Sequence, residues 1–464
     1  MSQRERYRAR RRALSAAMGG EPFLLMGHSE LPRNYLANPL PFRQDSTFLY
    51  FTGCRRPDAG LLVADGRATL VLPPVAPHDA LWHGEVPSPE HEAERVGADA
   101  VATHEELAAL LPEGVHALPV ADPQANARLS RWLGVTVDPR HPEATSPALA
   151  AAVVALRLRR DPWEAGEMRK AGAVTRDAMR AAMGATRPGV TDREVQGLIE
   201  GAFSAAGMAP AYPPIVTVRG EVLHGSASGA PMGPTQLLLL DAGAESATGY
   251  ASDVTRTWPV SGTFTPRQRE VYEAVLEAQE TAIALCRPGV RYRDIHLAAA
   301  RVLARALLDW GLLAGSVDGL VEQGAHAVFF PHGIGHLIGL DVHDLELFGD
   351  LAGYGSGRSR DPQFGLCWLR LDRDLEPGMA VTIEPGLYFA PAILHDEKLR
   401  ATLGDAVRWS RAEEWLPFGG IRIEDDVLVT DGEPEVLTAD IPKAVEAVEA
   451  LVGRGPTPRE RLLG

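Results

Sequence analysis

Five side chains in the second half of this sequence have the types and setting to share metal ions. Four leucines, Leu237 to Leu240, end in Asp241, and Asp253 follows twelve residues on, past Gly243 and Gly249. Both flanks read as strands, so a hairpin would set the two carboxylates side by side. His332, His336 and His343 fall within twelve residues, between apolar neighbours and beside Gly333, Gly335 and Gly339, which let backbone pack close to something. Glu384 closes the apolar stretch Met379–Ile383, and Arg422 and Glu424 share one face of a strand running on to Val429. Each feature has an ordinary explanation alone: turn aspartates, a core histidine, a solvent-facing Arg–Glu pair. As a set they need more. Carboxylates among Ile and Val are expensive to bury unpaired, and four in one pocket repel strongly at low dielectric. Divalent cations remove that repulsion. Asp241, Asp253, His336 or a neighbouring histidine, Glu384 and Glu424 are oxygen-rich with one imidazole, which suits manganese, cobalt or zinc. Five ligands with shareable carboxylates suit two ions that activate water for hydrolysis.

Other chemistries lack their residues. Gly333 and Gly335 have no third glycine at dinucleotide-fingerprint spacing, and no HExxH, GxSxG or Walker sequence occurs. The formal net charge of -15 argues against a nucleic-acid binder or an anionic-membrane protein. Three scattered cysteines, Cys54, Cys286 and Cys367, read as reduced thiols and not as a disulfide framework. Arg4, Arg6, Arg8, Arg10, Arg11 and Arg12 precede too short an apolar stretch for a secretory signal, and read as a solvated basic helix face. With no apolar run long enough to span a bilayer, a cytoplasmic protein is expected.

The elements that must position these residues fall into two parts, since 464 residues exceed a single ordinary core. Residues 1–155 read as a small α/β domain, with strands at Phe23–Met26, Phe48–Phe51, Leu61–Val63, Thr69–Leu72 and Val135–Val137. A helical stretch is expected over His91–Leu111 and turns over Pro139–Pro147. Asp161-Pro162 then opens a long helix, as N-cap and first turn. Residues 156–464 contain a repeat: Arg187-Pro-Gly-Val190 and Arg287-Pro-Gly-Val290, offset by 100 residues, each end one helix before another begins. The offset is too long for a solenoid and reads as a duplicated half-domain.

The segments DAG…YASDVTRTWPVSG, PHGIGHLIGLDVHD, EPGLYF and GGIRIEDDV resemble the motifs of the aminopeptidase P and prolidase family of dinuclear metallopeptidases. RNYLANPLPFRQDSTFLYFTG and the Arg-rich opening resemble that family's N-terminal domain. The resemblance implies an α+β pita-bread catalytic domain behind a smaller α/β domain. It implies two divalent ions, manganese first, with cobalt or zinc compatible. Asp241 would chelate one ion, His336 and Glu384 the other, and Asp253 and Glu424 would bridge. His224, His332 and His343 match substrate-side histidines, and Arg422 matches an arginine beside the bridging glutamate. The implied reaction is cleavage between an N-terminal residue and a following proline. The alternatives are an Xaa-Pro dipeptidase, in which Arg370 would bind the dipeptide carboxylate, or a non-catalytic pita-bread binding protein. A homo-oligomer, dimer or tetramer, is expected. The two aspartates stand 12 apart instead of the family's 11, so the intervening turn should carry one extra residue. The Gly-rich segment from Gly349 to Gly365 is expected to leave Arg370 mobile or displaced, with the cleft open to tripeptides.

Overall fold

The computed structural model describes residues 1–76, 78–141 and 145–463. These form two units, residues 1–158 with 345–352, and residues 159–344 with 353–464. The short return of 345–352 to the first unit has no mark in composition.

The first unit holds a five-stranded sheet of β1 (Phe23–Met26), β2 (Gly60–Ala64), β3 (Arg67–Val71), β4 (Ala100–Ala102) and β5 (His116–Ala117), in the order β4-β3-β2-β1-β5. Phe48–Phe51 is not one of its strands. It lies in a helix, α2 (Ser46–Thr52), capped by the Asp45 carboxylate on the Phe48 N–H at 2.8 Å and ended by Gly53 at φ +62°. Every residue of α2 is buried, so it shows no polar stripe to distinguish a helix from a buried strand. The expected helix over His91–Leu111 is split by β4 into Pro89–Val96 and His104–Leu110. Val135–Val137 is not a strand, and Pro142 to Ala144 of the expected turn lie outside the described residues.

The opening arginines are a solvated face only in part, with Arg4 and Arg12 exposed. In α1 (Gln3–Ala17), Arg6, Arg10 and Arg11 are buried. Arg11 donates to the carbonyls of Phe51 at 2.9 Å and Gly97 at 2.6 Å, and Arg10 to Tyr50 at 3.1 Å. These carbonyls sit at helix C-termini, where a cation satisfies acceptors left without an intrahelical donor.

The second unit is built of two like halves. In one, α3 (Pro162–Ala185) and α4 (Asp192–Ala205) pack together; in the other, α5 (Pro266–Ala284) and α6 (Tyr292–Asp309) do so. Gly189 at φ +90° and Gly289 at φ +81° make the matching turns between them, a conformation glycine adopts without penalty. Each pair leads into an antiparallel three-stranded sheet. The first is β6 (Ile215–Thr217), β7 (Leu237–Asp241) and β8 (Thr255–Pro259), with β7 central. The second is β9 (Ala380–Ile383), β12 (Asp425–Leu428) and β13 (Glu435–Val436), with β12 central. A further pair, β10 (Gly386–Tyr388) and β11 (Gly420–Arg422), joins Glu384 to Glu424 in space. The leucine run of β7 is buried throughout, which is why it reads as continuous rather than alternating. Among the described residues, no helix is long and apolar enough to cross a membrane.

Candidate metal centre and peptide site

Asp241 ends β7 opposite Thr255 at the start of β8. Asp253 therefore stands two residues outside the ladder, on an arm laid against the β7 exit. A Cβ on Gly243 would lie 1.7 Å from the Ser252 carbonyl oxygen, so only glycine permits this approach. The Tyr212 hydroxyl then reaches both carboxylates, Asp241 at 2.5 Å and Asp253 in an equally short contact. One O–H cannot donate to two carboxylates. Their approach calls for a shared proton or a cation.

His336 arrives from a turn held against β9. Its N–H donates to Thr382 Oγ1 at 3.1 Å, and a Cβ on Gly335 would meet the Thr382 carbonyl oxygen at 2.1 Å. His336 Nδ1 lies 3.0 Å from the Leu337 carbonyl, which can only accept, so Nδ1 carries the proton. The Nε2 lone pair faces Asp253 at 3.5 Å and Glu384 at 3.7 Å. Such a carbonyl bond behind the ring is how metal-binding histidines are oriented. Glu424 accepts from Thr255 Oγ1 at 2.7 Å, and Asp253, His336 and Glu424 each offer a ligand atom, all within 4.8 Å of one another. Burial first, then mutual repulsion, raises Asp253 and Glu424 well above the usual carboxyl range; burial pushes Glu384 up to about 7. Next to Glu424, Asp425 is held down at about 2 against the effect of burial, by Arg256 and Lys443. The raised carboxyls lie where the donor set converges, and that donor set fits divalent ions.

Around this cluster Arg422 donates to Asp241 at 2.6 Å and to Thr255 Oγ1 at 3.0 Å. It is buried, not solvent-facing. His332 lies 2.7 Å from the Gly333 carbonyl through Nδ1 and 2.8 Å from the Tyr388 hydroxyl through Nε2. Both ring nitrogens are thus engaged, and burial keeps the ring neutral, its pKa pushed down to about 3. His343 Nδ1 is 3.4 Å from Arg370 Nη1. Arginine cannot accept, so Nδ1 does, and the His343 proton sits on Nε2, free to donate to a substrate oxygen. Burial first, then His336 and Arg370, lowers His343 to about 2. His224, on the loop after β6, is exposed but close enough to make both of these rings harder to protonate.

Arg370 is not displaced: its Nη1 lies beside His343, and the segment before it is folded. Tyr354 bridges Asp372, Asp372 N–H donates to the Gly353 carbonyl at 2.7 Å, and the Tyr354 hydroxyl donates to the Leu369 carbonyl at 2.8 Å. The glycines permit that folding instead of loosening it; Gly353 lies against the Arg370 carbonyl, 2.4 Å from where a Cβ would stand.

Residues 166–431 match the profile of metallopeptidase family M24, and residues 7–119 that of the aminopeptidase P N-terminal domain. The chain belongs to metallopeptidase family M24. The Xaa-Pro aminopeptidase of Escherichia coli is 34% identical, over 97% of this chain and 98% of the relative. Human Xaa-Pro dipeptidase is 32% identical, over 96% and 92%. Among solved structures, aminopeptidase P from E. coli in its low-pH form matches with a TM-score of 0.80 at 32% identity, covering 97% and 98%. Aminopeptidase PepP of Pseudomonas aeruginosa matches with 0.78 at 32%, covering 96% and 97%.

Sequence reasoning on this M24 chain missed Tyr212, Tyr388 and Thr255. Tyr212 follows the short Met208–Ala211 stretch with no motif around it, and only the hairpin fold brings it to the aspartates. Tyr388 could have been found, since it stands in the EPGLYF segment four residues after Glu384.

The raised carboxyls set a pH test. A carboxyl whose pKa is higher in the fold than in the unfolded chain stabilises the fold below its unfolded value, about 4, and that contribution is lost as pH climbs through the folded value. Metal-stripped protein should therefore lose thermal stability between about pH 5 and pH 8, while metal-loaded protein changes little. Circular-dichroism melts across that range check this; a stripped protein whose Tm rises with pH would contradict it.

Proposed function

We propose that this chain is a metallo-exopeptidase that cleaves the peptide bond between an N-terminal residue and a following proline. The observation that carries the reading is the buried convergence of Asp253, His336 and Glu424, with Asp241 and Glu384 beside them and His343 at their edge. Asp241 is proposed to hold one divalent ion, His336 and Glu384 the other, and Asp253 and Glu424 both. Manganese is favoured by the oxygen-rich set, with cobalt or zinc acceptable. Residues 156–464 would form the catalytic domain and residues 1–155 its N-terminal companion, in a cytoplasmic dimer or tetramer.

Bound divalent ions supply Lewis acidity and a water ready to attack at neutral pH. The side chains do the rest. His343 donates from Nε2 to the scissile carbonyl and steadies the oxyanion that develops there. His332 and Tyr388 act as one hydrogen-bonded unit on the carbonyl side. His224, on its exposed loop, meets the substrate, and Arg422 keeps Asp241 in place. Hydrolysis of Xaa-Pro-Xaa and Xaa-Pro substrates, with products identified by mass spectrometry, tests the reading; cleavage at any other bond would sink it.

The position of Arg370 favours a second reading, an Xaa-Pro dipeptidase. A guanidinium recognises a carboxylate through paired, charge-assisted hydrogen bonds, and a dipeptide presents its carboxylate one residue beyond the scissile bond. Arg370→Ala should therefore weaken kcat/KM for Xaa-Pro by about 1.5–3 kcal/mol more than for Xaa-Pro-Xaa, which shares only the loss of the His343 contact. A wild type that cleaves dipeptides alone, with that activity collapsing in the variant, would make the chain a dipeptidase.

A further inference from the structure

Arg160 and Asp344 face each other at 2.7 Å, and neither side chain has any exposed surface. A buried ion pair is an inefficient source of stability, and here the guanidinium nitrogens make no well-angled hydrogen bond among the described residues. Its location gives it another role. Asp344 directly follows His343, and its backbone N–H donates to the Leu337 carbonyl at 2.9 Å. That same carbonyl accepts from His336 Nδ1 at 3.0 Å. One oxygen therefore orients the ligand histidine and closes the turn that delivers His343, whose ring packs edge-on against His336 with centroids 4.3 Å apart.

The ion pair roofs this turn. A Cβ on Gly339 would lie 2.5 Å from Arg160 Nη1 and 2.7 Å from Asp344 Oδ2. Below, the Gly339 carbonyl accepts from Ala251 N–H at 2.8 Å, on the arm that carries Asp253. Arg160 is itself fixed: its N–H donates to the Gly378 carbonyl at 2.6 Å, and it precedes Asp161, the N-cap of α3. Removing Arg160 would take from Asp344 the ion pair that helps to fix its carboxylate, and removing the Asp344 charge would leave the Arg160 guanidinium buried without this partner.

We propose that the Arg160–Asp344 pair is a positioning device that sets the His343 ring against His336 and the scissile carbonyl, without touching substrate itself. The proposal rests on the peptidase reading of this site, and the test separates the two. Metal-loaded wild type, Arg160→Met, Arg160→Lys and Asp344→Asn are compared for Tm, metal content, kcat and KM on an Xaa-Pro substrate, and their diamagnetic zinc-loaded forms for histidine-ring resonances in long-range proton–nitrogen spectra. In Arg160→Met, kcat should fall about 10-fold or more, as a small misplacement of a reacting group does. Its KM and metal content should stay near wild type, and the His343 resonances should move. Arg160→Lys keeps the charge and should recover much of the rate. A folded Arg160→Met with wild-type kcat and unmoved resonances overturns the proposal. So does a rate loss that merely tracks lost metal, and so does failure of both Arg160→Met and Asp344→Asn to fold, which would assign the pair to stability alone. If wild type itself cleaves no Xaa-Pro bond, the functional reading fails, and the ring resonances still decide the positioning.

Discussion

Glu424→Ala is expected to abolish both metal retention and turnover. Glu424 sits 2% exposed, its carboxylate held by Thr255 Oγ1 and its N–H by the Thr255 carbonyl at 3.0 Å, so it is aimed before any ion arrives. A carboxylate that serves two ions offsets charge on both, and two of the nearby carboxylates are already engaged: Asp241 by Arg422 and Tyr212, and Asp425 by Arg256 and Lys443. The loss should exceed the roughly 10²–10³-fold that follows removal of a single transition-state donor. Elemental analysis of the folded variant, alongside its activity, checks this. Two ions retained with full turnover would end the two-ion assignment.

His343→Ala should fail differently. Its Nδ1 is occupied by Arg370 and its ring is neutral, so its remaining function is donation from Nε2. The variant should keep both ions and its fold, and lose about 10²–10³-fold in kcat with little change in KM. Loss of an ion instead would mean that the ligand histidine of the cluster is not His336.

Much of the second unit was legible because its chemistry is clustered in short segments. The leucine run before Asp241, the three spaced histidines and the strand ending in Glu384 each carry their own context, and the two Pro-Gly turns announce the duplication. What the sequence hid was long-range. Tyr212 and Thr255 gain their roles only when β7 and β8 pair, and Arg160 only when the 337–344 turn folds beneath it. Phe48–Phe51 was misread for a different reason: a helix buried on all sides has no periodicity to show. Arg11 reads as a surface residue by composition, yet three carbonyls accept from it in the first unit. The glycines before Arg370 were read as slack, whereas Gly353 is there because a side chain would strike the Arg370 carbonyl.

Five side chains, Asp241, Asp253, His336, Glu384 and Glu424, are proposed to hold two ions for hydrolysis of Xaa-Pro bonds. The most direct test is to strip the protein with chelator, return manganese in measured equivalents, and follow release of the first residue from an Xaa-Pro-Xaa peptide. Release should be absent at the start and reach its plateau at two ions per chain. Full release by the stripped protein, or a plateau at one ion, would contradict the account.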